Sequence, residues 1–129
     1  MKIVADTNIF LAVALEEPEK EHIIELTVGH DVVCPEILPF EIGNALTAMV
    51  KRDRISSTKA VAIYDLTQQI PVQLVSIDIR RALEIALRFN IYAYDAYFLQ
   101  TALSMGCPLI TLDNQMRNVA ESLSITVLE

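Results

Sequence analysis

Glu41 lies in a stretch, between Lys20 and Lys51, that contains no Lys or Arg, and Asp95 and Asp113 share another between Arg88 and Arg117. Burying a carboxylate with no cation to replace its hydration is costly. Glu41 follows Leu38 by three residues and precedes Ala45 by four, so on a helix it shares a side with small and apolar neighbours. Asp6 closes the apolar run Ile3-Val4-Ala5, and Asp113 comes two residues after Thr111, at the end of another apolar run. Acids gathered without local cations are what a hard divalent ion requires. Each also has a plainer role. Asp95 and Asp113 are good helix N-caps, and Asp6 can cap a helix beginning at Asn8.

The separations 41 − 6 = 35, 95 − 41 = 54 and 113 − 95 = 18 mean that only folding can bring these acids together. The apolar pattern predicts short strands at Ile3–Ala5, Val32–Cys34, Val72–Val75, Leu109–Thr111 and Ile125–Val127. Between them it predicts helices through Leu11 and Ala14, from Glu19 to Val28, from Glu36 to Arg52, and from a Ser56 or Ser57 cap through Leu66. Further helices run from Asp78 with an apolar face of Leu83, Ile85, Ala86 and Phe89, from Tyr94 to Met105, and from Asn114 to Leu123. Gly29 and Gly106 mark stops. Strands alternating with helices imply a short, mostly parallel five-stranded sheet covered on both faces, an α/β/α sandwich forming a single domain over residues 1–129. In such sheets ligands bind beyond the carboxyl ends of the strands, next to helix N-termini, where these acids fall.

Hydrophobic residues make up 53% of the chain and charged residues 21%, which excludes a disordered chain. No apolar run approaches the roughly 20 residues that span a bilayer, and Asp6 and Asn8 interrupt any export signal, so a cytoplasmic location is expected. The apolar excess in so small a chain predicts a self-complementary patch and a symmetric dimer. The net charge of −7 disfavours broad, sequence-blind binding to nucleic acid. A local exception is the run holding Lys51, Arg52, Arg54 and Lys59 with only Asp53 against it, 4 − 1 = +3, which suits either a solvated helix end or contacts to phosphates. Cys34 and Cys107 lack CxxC spacing and are expected to be buried free thiols.

The segments VADTN, PFEIGNAL, YDAYFLQTAL and LITLDNQM, in this order along the whole chain, closely resemble the PIN-domain ribonucleases, especially the VapC-type toxins of prokaryotic toxin–antitoxin pairs. That resemblance implies a PIN-like three-layer fold and a metal-dependent endoribonuclease leaving a 3′ hydroxyl and a 5′ phosphate. Carried over position by position, the family's acidic quartet falls on Asp6, Glu41, Asp95 and Asp113, with supporting roles on Asn8 and Thr111, and on Asn114 as a further contact. The family often has Ser or Thr where this chain has Asn8. The resemblance also implies a homodimer and an antitoxin whose tail covers the acidic pocket. Oxygen ligands without His or Cys select Mg²⁺ or Mn²⁺ over zinc. Such an ion can acidify a water and offset charge at a scissile phosphate, with Glu41 or Asp95 orienting the water.

Other patterns carry less. Ser56-Ser57-Thr58-Lys59 has the S-x-x-K form of serine acyl-enzymes but no companion motif. His22 and His30 flank an acid-rich helix and suit surface or capping roles. Tyr92, Tyr94, Tyr97 and Phe98 fit core packing and a dimer contact, with base stacking as the alternative. A phosphoacceptor receiver domain would need a Lys ending its last strand, and no Lys occurs beyond Lys59. A D-x-D phosphatase fails at Asn8. A nuclease acting in RNA processing outside any toxin–antitoxin pair, and a PIN fold that only binds a partner, are the remaining rivals.

Overall fold

Ile3, Val4 and Ala5 are buried without a break, the pattern of a strand covered on both faces. In the computed structural model, which describes residues 1–129, they belong to β1 (Lys2–Ala5), followed by β2 (Asp31–Pro35), β3 (Gln73–Val75) and β4 (Leu109–Ile110). Seven helices connect and flank them: α1 (Thr7–Ala14), α2 (Lys20–Thr27), α3 (Leu38–Lys51), α4 (Ser57–Thr67), α5 (Ile79–Phe89), α6 (Ala93–Met105) and α7 (Asn114–Ser122). No helix is long and apolar enough to cross a membrane.

The strand order is β3-β2-β1-β4, and every pairing is parallel. The chain therefore winds outward from β1 to β3 and returns to the other side of β1 for β4. The reversal lies between β1 and β4, so the crevice expected at a topological switch point opens where Asp6 and Thr111 leave the sheet. Helices α1 to α4 pack among themselves, while α6 lies on β1 and β2 and carries α5 on its outer side. Phe98, Leu99 and Ala96 of α6 are fully buried in the resulting core with Ile3, Val4 and Leu109.

Local chemistry sets the helix ends. Ser56 accepts a hydrogen bond from the Lys59 N–H at 3.1 Å, so the S-x-x-K run is a helix cap. Asp78 caps α5 by accepting from the Arg81 N–H at 3.1 Å. The C-caps of α5 and α6, Asn90 (φ 55°) and Gly106 (φ 63°), take the left-handed conformation, for which these residue types are best suited. Cys34 and Cys107 are buried free thiols, as expected.

Two expectations need correction. The sheet has four strands and not five: Ile125–Val127 contributes a single bridge, Leu109 to Val127. Its partner β4 is only two residues long, and just beyond it the Thr111 hydroxyl bonds Asp6 and accepts from the Asp113 N–H. The apolar face of α5 is also displaced. Ala82, Ile85 and Ala86 are buried, whereas Leu83 is 47% exposed and Phe89 is only partly covered. Leu83, one position on from the buried Ala82, is turned by about 100° around the helix and points away from the face that carries Ala82, Ile85 and Ala86. Truncating Ile85 to Ala should therefore cost about 2–4 kcal/mol in urea denaturation, against about 0.5 kcal/mol or less for Leu83→Ala. Equal costs would return Leu83 to the core.

Candidate active site

Asp6 is the first residue beyond β1 and is only 5% exposed. It holds the N-cap position of α1 with an extended backbone (φ −68°, ψ 157°), yet its side chain makes no cap hydrogen bond. Its Oδ2 instead accepts from the hydroxyl of Thr111 at 2.9 Å, and that same hydroxyl oxygen accepts from the Asp113 N–H at 3.0 Å. One buried hydroxyl thus ties the ends of β1 and β4 together. Thr7, also buried, donates its hydroxyl to Glu41 Oε2 at 2.7 Å, which ties the start of α1 to the first turn of α3.

Asp95 lies in the first turn of α6, whose N-cap is Tyr92, so Asp95 is not a cap. Asp113 is one: it accepts from the Gln115 and Met116 N–H groups at 2.8 and 3.1 Å, both through Oδ1, leaving Oδ2 without a bond. Asp6, Glu41 and Asp95 converge on one cleft of about 300 Å³, which Thr7, Asn8 and Asn44 also line, as do Phe40 and Tyr94. No Lys or Arg lines it. Asp113 lies outside the lining but close enough to act on Asp95.

The electrostatics follow from this placement. Burial pushes the Asp6 carboxyl up to about 6, the Thr111 hydrogen bond opposes the rise, and the charges of Asp95 and Glu41 add to it. Glu41 is raised by burial and by Asp95, against the Thr7 hydrogen bond, and Asp95 is raised by burial and by Asp113. Desolvated oxygen donors with no cation beside them fit a hard divalent ion, and no His takes part. The nearby Cys34 thiol donates to the Ala5 carbonyl at 3.1 Å and is pushed up to about 12, so it offers no thiolate. No three Asp, Glu, His or Cys side chains are already drawn together as tightly as an ion holds its ligands.

Of the other expected residues, Asn8 lines the cleft and Thr111 bonds Asp6, whereas Asn114 is exposed at the start of α7 and stays outside the lining. Lys51, Arg52, Arg54 and Lys59 are all exposed at the far end of α3 and beyond. Lys51, ten residues past Glu41, is about 15 Å from it along the helix axis. His22 pairs with Glu25 at 3.9 Å on the surface. Thr7 and Asn44 were not singled out from the sequence. Thr7 stands between Asp6 and Asn8 in the VADTN segment, but its bond to Glu41 spans 34 residues and appears only on folding.

The raised Asp6 carboxyl makes metal-free stability depend on pH. Between the ordinary value of 3.8 and about 6 the folded chain holds a proton that the unfolded chain has lost, so this group makes stability fall as pH rises through that window. Asp6→Asn should flatten that fall and, at pH 7 in chelator, raise stability by roughly 1–3 kcal/mol. Thermal unfolding of both proteins at pH 4.5 and 7 checks this, and an unchanged pH dependence would show that Asp6 is not the strained group.

The family model of the PIN domain matches residues 3–122. No curated relative matches the sequence. Among solved structures, the fold is similar to that of VapBC2 from Rickettsia felis bound to a DNA fragment from their promoter, with TM-score 0.69 and 13% identity over 100% of this chain and 98% of that one. It is similar to PAE2754 from Pyrobaculum aerophilum, with TM-score 0.67 and 18% identity over 96% of this chain and 90% of that one. It is also similar to VapBC-1 from nontypeable Haemophilus influenzae, with TM-score 0.66 and 19% identity over 100% and 98%. Taken with the matched span, the parallel sheet and the acids at its carboxyl edge, this places the chain in the PIN domain family.

Proposed function

We propose that this chain is a Mg²⁺- or Mn²⁺-dependent endoribonuclease, the toxin of a toxin–antitoxin pair, with Asp6, Glu41, Asp95 and Asp113 as its catalytic and metal-holding acids. The observation that carries the proposal is the convergence of Asp6, Glu41 and Asp95 on one cleft without a Lys or Arg, with Asp113 acting on Asp95. A purely structural cluster would pair such acids with cations, because unpaired buried carboxylates cost stability. A bound divalent ion would supply positive charge to the scissile phosphate and to the attacking water.

The chain's own residues prepare the site. Thr111 holds Asp6 by one oxygen, and Thr7 holds Glu41 by one oxygen, so each keeps its second oxygen available. Asp113 spends Oδ1 on its helix cap and keeps Oδ2 free. Glu41 and Asp95, less deeply buried than Asp6, are the candidates to orient or deprotonate the water. The toxin role draws support from structural neighbours described as VapBC proteins and as a toxin–antitoxin complex from Klebsiella pneumoniae. It brings with it an antitoxin partner, a homodimer and a cytoplasmic location. An RNA-processing nuclease outside such a pair is the second reading, with the same site.

Asp6→Asn, Glu41→Gln, Asp95→Asn and Asp113→Asn should each lower RNA cleavage by at least about 100-fold while the chain stays folded, because each removes a charge without changing the side chain's size, and Asn at 113 can still cap α7. Cleavage retained in Asp113→Asn would leave that residue as a cap alone. Thr7→Val should cost about 10- to 100-fold, through loss of the bond that orients Glu41. Mg²⁺ or Mn²⁺ should raise the unfolding temperature in a concentration-dependent way. Full-rate cleavage in excess chelator would overturn the metal dependence.

A further inference from the structure

Two aromatic rings stand in water at the mouth of the acidic cleft. Phe40 is 74% exposed and Tyr94 55% exposed, and both line the cleft with Asp6, Glu41 and Asp95. Each immediately precedes a cleft carboxylate in the first turn of its helix, Phe40 before Glu41 in α3 and Tyr94 before Asp95 in α6. Neither ring serves the core: α3 buries Leu38, Ile42 and Leu46, and α6 buries Phe98 and Leu99. Tyr94 is braced edge-to-face by Tyr97, with ring centroids 6.0 Å apart and planes at 86°, an arrangement that fixes a ring's orientation. Single exposed apolar side chains are ordinary, but two rings on the rim of one acid-lined cleft form a surface.

An RNA strand reaching this cleft finds little electrostatic help. The chain carries a net charge of −7, no Lys or Arg lines the cleft, and the basic run lies toward the far end of α3. Beyond the charge a bound divalent ion would bring to the scissile phosphate, the flanking nucleotides meet no Lys or Arg in the cleft, and base stacking on aromatic rings is a contact that does not depend on charge, tolerant of sequence because every base has a π-face. The cleft is near the lower limit of ligand sites, roughly 300–1,000 Å³, so nucleotides flanking the scissile linkage must lie on the rim where the rings are.

We infer that Phe40 and Tyr94 are stacking platforms for nucleobases flanking the scissile phosphate. The inference rests on the ribonuclease function proposed above. In a duplex the base faces are covered by their neighbours and unavailable to either ring.

The test is steady-state cleavage of a single-stranded RNA and of the same sequence as a perfect duplex, in Mg²⁺, by the full chain. Phe40→Ala, Phe40→Leu and Tyr94→Ala should each raise KM for the single strand roughly 5- to 150-fold, with kcat changed less than about 3-fold. Phe40→Tyr and Tyr94→Phe, which keep a ring, should retain the wild-type KM, and Phe40→Leu separates stacking from simple apolar contact. Both side chains are exposed, so the fold should persist, with the unfolding temperature unmoved in the Phe40 variants and lowered by no more than a few degrees in Tyr94→Ala, which loses the Tyr97 contact. Duplex cleavage should be poor and insensitive to all five substitutions. An unchanged KM in Phe40→Ala and Tyr94→Ala, with wild-type cleavage intact, overturns the inference and leaves the nuclease standing. A duplex cleaved as well as the single strand overturns it too. Variants with wild-type KM that lose self-association in sedimentation would assign the rings to a protein interface. A wild-type chain that neither binds nor cleaves RNA overturns both proposals.

Discussion

Keeping Asp6 out of water at the end of β1, with Glu41 and Asp95 close by, is the constraint on which the site depends. Asp6 is 5% exposed, and burial raises its carboxyl to about 6. Two features of the fold hold it there. The strand order β3-β2-β1-β4 places β1 inside the sheet, so Asp6 leaves a strand with parallel partners on both sides. The Thr111 hydroxyl, 2% exposed, then supplies the one side-chain hydrogen bond to the carboxylate, reaching across 105 residues of sequence. That threonine is the first residue beyond β4, so the bond joins the ends of two neighbouring strands.

Much of this was legible in the sequence, for local reasons. β1, β2 and β4 are short apolar runs ended by Asp6, Pro35 and Thr111, and helix stops such as Gly106 carry their own conformational demand, so their positions needed no tertiary information. The strand-end rule brought out Asp6 and Asp113, and the lack of nearby cations brought out Glu41. What was not legible depended on partners far away. Thr7 reads as an ordinary helix-start residue until α3 delivers Glu41 to it. Leu83 and Ala82 differ by one position on α5, and nothing in helical periodicity says that the small residue faces α6. Phe40 belongs to an apolar segment, PF before EIGNAL, that looks like core on composition alone, yet Pro39 and Glu41 place the turn at the cleft mouth. The four tyrosine and phenylalanine positions of α6 and its approach separate in the same way. Phe98 is in the core, Tyr97 is partly covered, Tyr94 is at the cleft and Tyr92 is 83% exposed.

Capping and catalysis could not be told apart from sequence for a physical reason that the fold makes plain. Asp6 precedes α1, Glu41 and Asp95 lie in the first turns of α3 and α6, and Asp113 caps α7. All four acids therefore sit at helix N-termini. The residue types that satisfy orphan N–H groups at a helix start are the same ones that bind a hard cation, and both functions favour the carboxyl edge of a parallel sheet. Asp113 shows a cap that needs only one oxygen, leaving the other without a bond.

The same arrangement explains how the chain gathers these acids without spending a single Lys or Arg on them. Each helix start carries a partial positive charge, worth about 0.3–1 kcal/mol to a nearby carboxylate. That is enough to ease repulsion but small beside the cost of burial, which is why Asp6, Glu41 and Asp95 stay raised. A Lys or Arg in the cleft would relieve the strain further, and it would also occupy the oxygens in ion pairs and compete with any divalent ion. Helix dipoles cannot compete in that way, because their charge is spread over backbone N–H groups that remain in their helices. On α3 the logic extends along the whole element: Glu41 is at the positive end, and Lys51 is at the negative end about 15 Å away. Acids and bases are each placed where the helix favours them, and the cleft keeps its carboxylates unpaired.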